Sequence, residues 1–230
     1  MGATFTAEAM STIRADFDRI ALLSGEEWDH SSQYHDFLSQ HIPSPCRESL
    51  EIGCGAGAFS RLLAKPSDRV LALDLSPNMI RIAKERSALF PNIDFQVADV
   101  MSRELPAENF DCIATVATLH HLPIAEVLPK IKRSLKVNGV LLILDLFQAE
   151  GLFDAVTSTL AVPVSMGLKL IRHGRMMAPR HVREAWAEHG RHDSYLTLAQ
   201  VHKVCADILP GAEVKKHLLW RYSIIWKKVA

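Results

Sequence analysis

The stretch from Leu50 to Ser60, Leu-Glu-Ile-Gly-Cys-Gly-Ala-Gly-Ala-Phe-Ser, constrains this chain more than any other. A short apolar run breaks into glycines at 53, 55 and 57 and then resumes with helical spacing, which predicts a strand, a tight turn and a helix. Glycine lacks the Cβ that would hold a bound molecule off the backbone, and it tolerates the positive φ of a sharp reversal. The turn is therefore shaped for a ligand.

The rest of the sequence supplies a frame for that turn. Pro43-Ser44-Pro45 closes an N-terminal stretch, Phe5 to about Ile42, whose apolar spacing predicts two amphipathic helices. Strands are predicted at about Ser49 to Ile52, Arg69 to Leu73, Ile93 to Val97, Phe110 to Val116, and Val140 to Leu144 after an Asn138-Gly139 turn. Between them fall helices over Phe59 to Ala64, from the Ser76-Pro77 cap to about Leu89, and over Ile124 to Leu135. This alternation indicates βαβ units and a mostly parallel sheet with helices on both faces.

From Phe147 to about Ser194 the alternation lapses into helical segments rich in Met and Arg, which suggests a lid. Thr197 then opens a helix to Leu209, and Glu213 to Leu218 with Tyr222 to Trp226 form an expected antiparallel pair. The organisation expected is one domain, with an N-terminal helical cap over 1–44, a ligand-binding core over 45–146, a lid over 147–194 and a closing helix and strand pair over 195–230.

Lys plus Arg, 26, balance Asp plus Glu, 26, so no global field attracts nucleic acid or an anionic membrane. No basic stripe interleaved with aromatics is present, and nucleic acid is not an expected partner. The four cysteines, Cys46, Cys54, Cys112 and Cys205, form no CxxC pair and no zinc or disulfide spacing. No metal is expected, and the setting that fits is reducing and cytoplasmic. The first twenty residues show no apolar signal region, and Asp154, Pro163 and Lys169 interrupt the most apolar later stretch, so no membrane insertion is expected.

In open parallel sheets ligands bind at the carboxyl ends of the strands. Acids stand at that end after two of them: Asp74, 21 residues past Gly53, is placed to accept hydrogen bonds from a ribose diol, and Asp99 to meet an adenine amino group. An adenosine-containing cofactor follows. The glycines alone leave its identity open, because Gly53-Cys54-Gly55-Ala56-Gly57-Ala58 also satisfies the dinucleotide pattern of an NAD(P)-binding oxidoreductase.

Glu51 before the first glycine, the third glycine at 57 and the extra acid Asp99 favour another assignment. Together Glu51-x-Gly53-x-Gly55-x-Gly57 resembles the first motif of the class I S-adenosylmethionine-dependent methyltransferases. Leu73-Asp74-Leu75-Ser76-Pro77-Asn78-Met79-Ile80 resembles their second motif, Val97-Ala98-Asp99-Val100 the third, and Phe110-Asp111-Cys112-Ile113 through His120-His121-Leu122 the fourth.

The resemblance covers roughly residues 45 to 146 and implies a Rossmann-like seven-stranded sheet and S-adenosylmethionine as cofactor. By position it implies that Gly53, Cys54, Gly55 and Gly57 line the methionine part, that Glu51 orients its amino group, and that Asp74 holds the ribose. Leu75 and Met79 would flank the adenine, Asp99 would bind its amine with Ala98 and Val100 beside it, and Val116 would lie near the methionine.

Tyr34 is a further candidate, as an aromatic face over the sulfonium. His120 and His121 are the candidate catalytic residues, since imidazole titrates near neutrality. The activity implied is methyl transfer to an O, N or C nucleophile of a small molecule. A non-catalytic S-adenosylmethionine-binding protein remains an alternative at this point, and neither acceptor nor oligomeric state is legible.

Overall fold

The computed structural model describes residues 7–23, 31–149, 163, 167, 179–191 and 193–229. Its strands are β1 Cys46–Ile52, β2 Ser67–Asp74, β3 Ile93–Val97, β4 Phe110–Val116, β5 Leu135–Leu146, β6 Glu213–Lys216 and β7 Arg221–Lys227. The helices are α1 Ala7–Leu23, α2 His35–Ser39, α3 Ser60–Leu63, α4 Pro77–Arg86, α5 Ile124–Ser134, α6 Arg180–His189 and α7 Leu198–Ile208, with short 3-10 turns at Ser32–Tyr34 and Leu119–His121.

All seven strands form one sheet in the order β3-β2-β1-β4-β5-β7-β6. β1 to β5 pair in parallel, and β7 runs antiparallel to both of its neighbours, β5 and β6. The order reverses between β1 and β4, and the glycine turn leaves β1 beside that reversal, where an open α/β sheet has its crevice.

Side-chain alternation along the strands divides the core. Leu50, Ile52, Ile113, Leu141 and Ile143 join Val127, Leu128 and Ile131 of α5 and Val201 and Cys205 of α7 on one face. Cys46, Val70, Cys112, Ala114, Leu142 and Leu144 join Leu38 of α2, Leu63 of α3 and Phe59 just before it on the other. Residues one apart in a strand point to opposite faces, so these apolar runs are continuous because both faces are covered.

Local chemistry sets the helix starts. Ser76 Oγ accepts from Met79 N at 3.1 Å and Pro77 occupies the first helical position of α4. Thr197 and Gln200 form a reciprocal capping box at α7, with contacts of 2.9 and 3.3 Å. α1 lies across the outside of this frame, where its Ile20 and Ala21 meet Met79 of α4 and Ala185 of α6.

Several boundaries differ from the sequence reading. β1 and β2 begin earlier than expected, because Cys46 and Ser67 already pair in register. The Asn138-Gly139 turn does not precede β5 but lies inside it, with Asn138 at φ 67° and a register irregularity against β4. Asparagine tolerates this left-handed conformation, so the strand bulges and continues.

Trp28 and most of the expected lid lie outside the described residues; α6 is the described helix of that lid. All four cysteines are free and buried. Among the described residues no helix is long and apolar enough to cross a membrane.

Candidate functional site

The glycine turn is tied to the end of β2, since Gly53 N and Cys54 N both donate to Leu73 O, at 2.8 and 2.9 Å. Gly53, Gly55 and Gly57 have φ of 72°, 50° and 77°. A Cβ on Gly53 would stand 2.1 Å from Thr118 Oγ1 and one on Gly57 2.9 Å from the Phe95 ring, whereas one on Gly55 would meet nothing within 4 Å. Two of the glycines are thus required by the protein's own packing, and the third opens onto free space. That open face is where a ligand's chain can lie against the backbone.

Asp74 ends β2 directly beside it. Its Oδ2 accepts from Gly55 N and its Oδ1 from Ser76 N, both at 2.8 Å. Burial pushes its pKa up, while those backbone donors pull it back down. Ala98 N donates to Asp74 O at 2.9 Å, which brings the β3 end alongside.

Asp99 uses both carboxylate oxygens locally, accepting from Met101 N at 2.8 Å and Ser102 Oγ at 2.7 Å. Leu75 is half-buried at the crevice. Met79 is covered by α1 and α6, and Val100 is 4% exposed within the main core, so both side chains pack against protein.

Glu51 lies under the turn, 2% exposed, and accepts a hydrogen bond from Ser60 Oγ. Burial raises its pKa to about 8 against the lowering effect of that hydroxyl. Cys54 is buried and its thiol is pushed well up by burial, then by Glu51 and Asp74, so it contributes backbone and not a thiolate.

Val116 is half-buried at the end of β4. Tyr34 donates its hydroxyl to Leu218 O at 2.7 Å and its ring centroid is 4.8 Å from that of His217. This fastens the start of α2 to the β6–β7 connection, which lies at the same edge because Arg221 pairs with Leu146.

The structure brings the two histidines into a larger cluster. The 3-10 turn after β4 sets their ring centroids 3.8 Å apart. His120 Nδ1 lies 2.6 Å from Asp145 Oδ1 at the end of β5. His121 is buried and neutral at ordinary pH, its pKa held far below the usual value by burial and then by His120 and His189. Phe17 of α1 packs edge-on against His121 and His189, at 5.5 and 4.7 Å between centroids. Asp193 reaches in from beyond α6 and accepts the Tyr195 hydroxyl at 2.7 Å.

Sequence reasoning missed Asp145, Asp193, His189, Thr118 and Asp18. Asp145 carried a signal, since it is an acid ending a strand just as Asp74 is. Asp18 of α1 accepts from Ser76 Oγ and from Asn78 N at 3.2 Å, and holds α1 over the N-terminus of α4. An exposed-looking acid on an amphipathic helix gave no hint of that contact.

Residues 50–143 match a family described as "Methyltransferase domain". An uncharacterized methyltransferase of Mycobacterium tuberculosis strain H37Rv is 33% identical over 97 residues, which are 42% of this chain and 49% of that protein. A ubiquinone biosynthesis O-methyltransferase of Xylella fastidiosa is 30% identical over 123 residues, 48% of this chain and 50% of that protein. The chain thus spans about half the length of the curated relatives it matches.

Among solved structures, phosphoethanolamine N-methyltransferase 1 of Haemonchus contortus superposes with a TM-score of 0.66 at 17% identity, covering 97% of this chain and 50% of that one. A geranyl diphosphate methyltransferase does so with a TM-score of 0.67 at 10% identity, covering 96% and 100%. At these identities the likeness is one of fold.

Proposed function

We propose that this chain, whose residues 50–143 match the methyltransferase-domain family, is a class I S-adenosylmethionine-dependent methyltransferase that methylates an O, N or C nucleophile of a small molecule. The observation that carries the reading is the open face of Gly55, flanked by Glu51, Asp74 and Asp99 at the ends of β1, β2 and β3. Across the crevice, at the ends of β4 and β5, stands an imidazole–carboxylate cluster. The dinucleotide alternative, open on the glycines alone, gives way to the family match.

When bound, S-adenosylmethionine supplies a sulfonium methyl group that a nucleophile takes by in-line displacement, with the broken bond's electron pair staying on sulfur. The chain's own task is to hold and orient. The Gly53 to Gly57 backbone receives the methionine part, Glu51 faces the amino group, and Asp74, Leu75, Ala98 and Asp99 receive the adenosine. Met79 and Val100 support that wall from behind. Tyr34 and Val116 border the methionine end. Such positioning is worth about 7–11 kcal/mol of barrier in favourable cases, so a strong base is not required.

On the acceptor side the two histidines have separate roles. His121 packs. His120 donates Nδ1–H to Asp145 and so presents an Nε2 lone pair to the acceptor. Phe17 of α1 and His189 of α6 close one side of this cluster. A small-molecule acceptor accords with the relatives' names, which specify ubiquinone biosynthesis and, in Ilyobacter polytropus, a malonyl-[acyl-carrier protein].

Calorimetry with S-adenosylhomocysteine tests the cofactor assignment, with binding in the micromolar range expected. Labelled-methyl transfer to a panel of phenols, carboxylates and amines tests the activity. Binding without any transfer across such a panel would point to a non-catalytic cofactor-binding protein.

A further inference from the structure

Around Asp193 several electron-pair donors converge. His120 Nε2 is 4.0 Å from Asp193 Oδ2 and His121 Nδ1 is 3.4 Å from Asp193 Oδ1. The three side chains are only 6%, 8% and 6% exposed, and one ligand atom from each falls within 4.8 Å of the others. Four ligands held at 2.0–2.1 Å around a tetrahedral ion stand roughly 3.4 Å from one another. The His121–Asp193 separation already has that value; the His120 contact must close by about half an ångström, and the set as a whole, whose ligand atoms lie within 4.8 Å of one another, must contract further around one ion.

The surrounding contacts have the form found behind metal ligands. A ligating imidazole usually gives its far N–H to a carboxylate, which fixes the tautomer and aims the other nitrogen. His120 does so to Asp145 at 2.6 Å, and among the described residues the buried Asp145 Oδ2 has no hydrogen-bond partner. His189 repeats the pattern with Nδ1 at 3.3 Å from Asp16 Oδ2 and Nε2 at 3.8 Å from Asp193 Oδ1. Tyr195 holds the Asp193 carboxylate in place.

We propose that His120 Nε2, His121 Nδ1 and Asp193 bind a divalent transition-metal cation of the zinc class, with His189 beside it and Asp145 orienting His120. Two imidazole nitrogens and one carboxylate suit zinc, iron, cobalt or manganese in place of magnesium or calcium, which prefer all-oxygen sites. Three protein ligands leave a position open, as in catalytic rather than structural sites. The ligand set contains no cysteine, which is why cysteine spacing was silent about it.

Resting on the methyltransferase reading, the ion's place at the ends of β4 and β5 gives it a function. The open position would take the acceptor's oxygen or nitrogen and hold it by coordination, in place of a hydrogen bond to His120.

The test uses the full chain, freed of metal with a chelator and titrated with cobalt(II) as a visible probe and zinc as competitor. One cobalt per chain with ligand-field absorption, displaced by zinc, is expected. Asp193→Asn and Asp145→Asn should each weaken binding about tenfold or more while S-adenosylhomocysteine affinity stays unchanged.

Absence of stoichiometric cobalt binding in wild-type protein that binds S-adenosylhomocysteine overturns the metal site and leaves the methyltransferase reading standing. Equal affinity in both variants overturns it too, by pointing to surface histidines. Histidine ring ¹⁵N resonances of the wild type provide a check free of any folding defect in the variants. Zinc should shift those of His120 and His121, and unshifted resonances reject the proposal.

Discussion

The Nδ1 of His120 lies 2.6 Å from Oδ1 of Asp145, joining the turn after β4 to the last buried position of β5. Both side chains are nearly inaccessible, at 6% and 1% exposure. A hydrogen bond from an imidazole to a carboxylate in such a place selects one tautomer, with the proton on Nδ1. Asp145→Asn keeps the size of the side chain and removes the charge. Histidine ¹⁵N spectra of the metal-free protein should show His120 as the Nδ1–H tautomer in the wild type and as a mixture in the variant. The same mixture in both proteins would contradict the orienting role of Asp145.

Asp74 has two duties. Its oxygens accept from Gly55 N and Ser76 N, and the same carboxylate is assigned to the ribose. Asp74→Ala should therefore weaken S-adenosylhomocysteine binding by about 1.5–3 kcal/mol, the worth of a hydrogen bond to a charged group. It should also cost stability without ligand, about 1–3 kcal/mol, since two part-buried N–H groups lose their acceptor. Calorimetric affinity and a denaturant midpoint measured on the same preparation check both. Loss of stability with affinity unchanged would confine Asp74 to holding the turn.

How much of this was legible depended on how local each signal is. β3 and β4 were readable to their end residues, because alternation and flanking turn residues are properties of consecutive positions. Glu51, Gly53 and Asp74 were readable for the same reason: each stands at a strand end that its own neighbours define. The bulge at Asn138 was not, because asparagine–glycine reads equally as a turn and only the pairing with β4 decides. The environment of His120 depends on Asp193, and that of α4's N-terminus on Asp18. Those partners meet through tertiary packing, which leaves no periodic trace in one sequence.

Gly53 and Gly55 should respond differently to alanine. At Gly53 the new Cβ would stand 2.1 to 2.7 Å from three atoms of Thr118, in a backbone at φ 72°. Overpacking of about 1–3 kcal/mol adds to the left-handed penalty of about 1–2 kcal/mol, so Gly53→Ala should destabilise the protein before any ligand is added. At Gly55 nothing lies within 4 Å, and Gly55→Ala should lose only the backbone penalty. Its methyl group would stand where the methionine part belongs, so cofactor affinity should fall far more than stability. Unimpaired S-adenosylhomocysteine binding in Gly55→Ala would remove the open face from the cofactor site.

Glu51 predicts a pH dependence with a definite sign. Burial raises its folded-state pKa from 4.5 to about 8, opposed by the Ser60 hydroxyl and joined by Asp74. Between those two values the folded protein holds a proton that the unfolded chain releases, so stability falls as pH rises through the window. Glu51→Gln carries no ionisable group and escapes that loss. Without ligand, the variant's stability relative to wild type should therefore increase steadily from pH 5 to pH 8. Cofactor binding should run the other way, because the ionised carboxylate is what favours the ammonium group of the methionine part. Wild-type affinity for S-adenosylhomocysteine should strengthen towards pH 8 relative to the variant, as the bound cation pulls the Glu51 pKa down. Thermal midpoints and calorimetric affinities at four or five pH values measure both trends. Parallel stability curves for the two proteins would mean that Glu51 is ionised in the free protein throughout, and that Ser60 outweighs its burial.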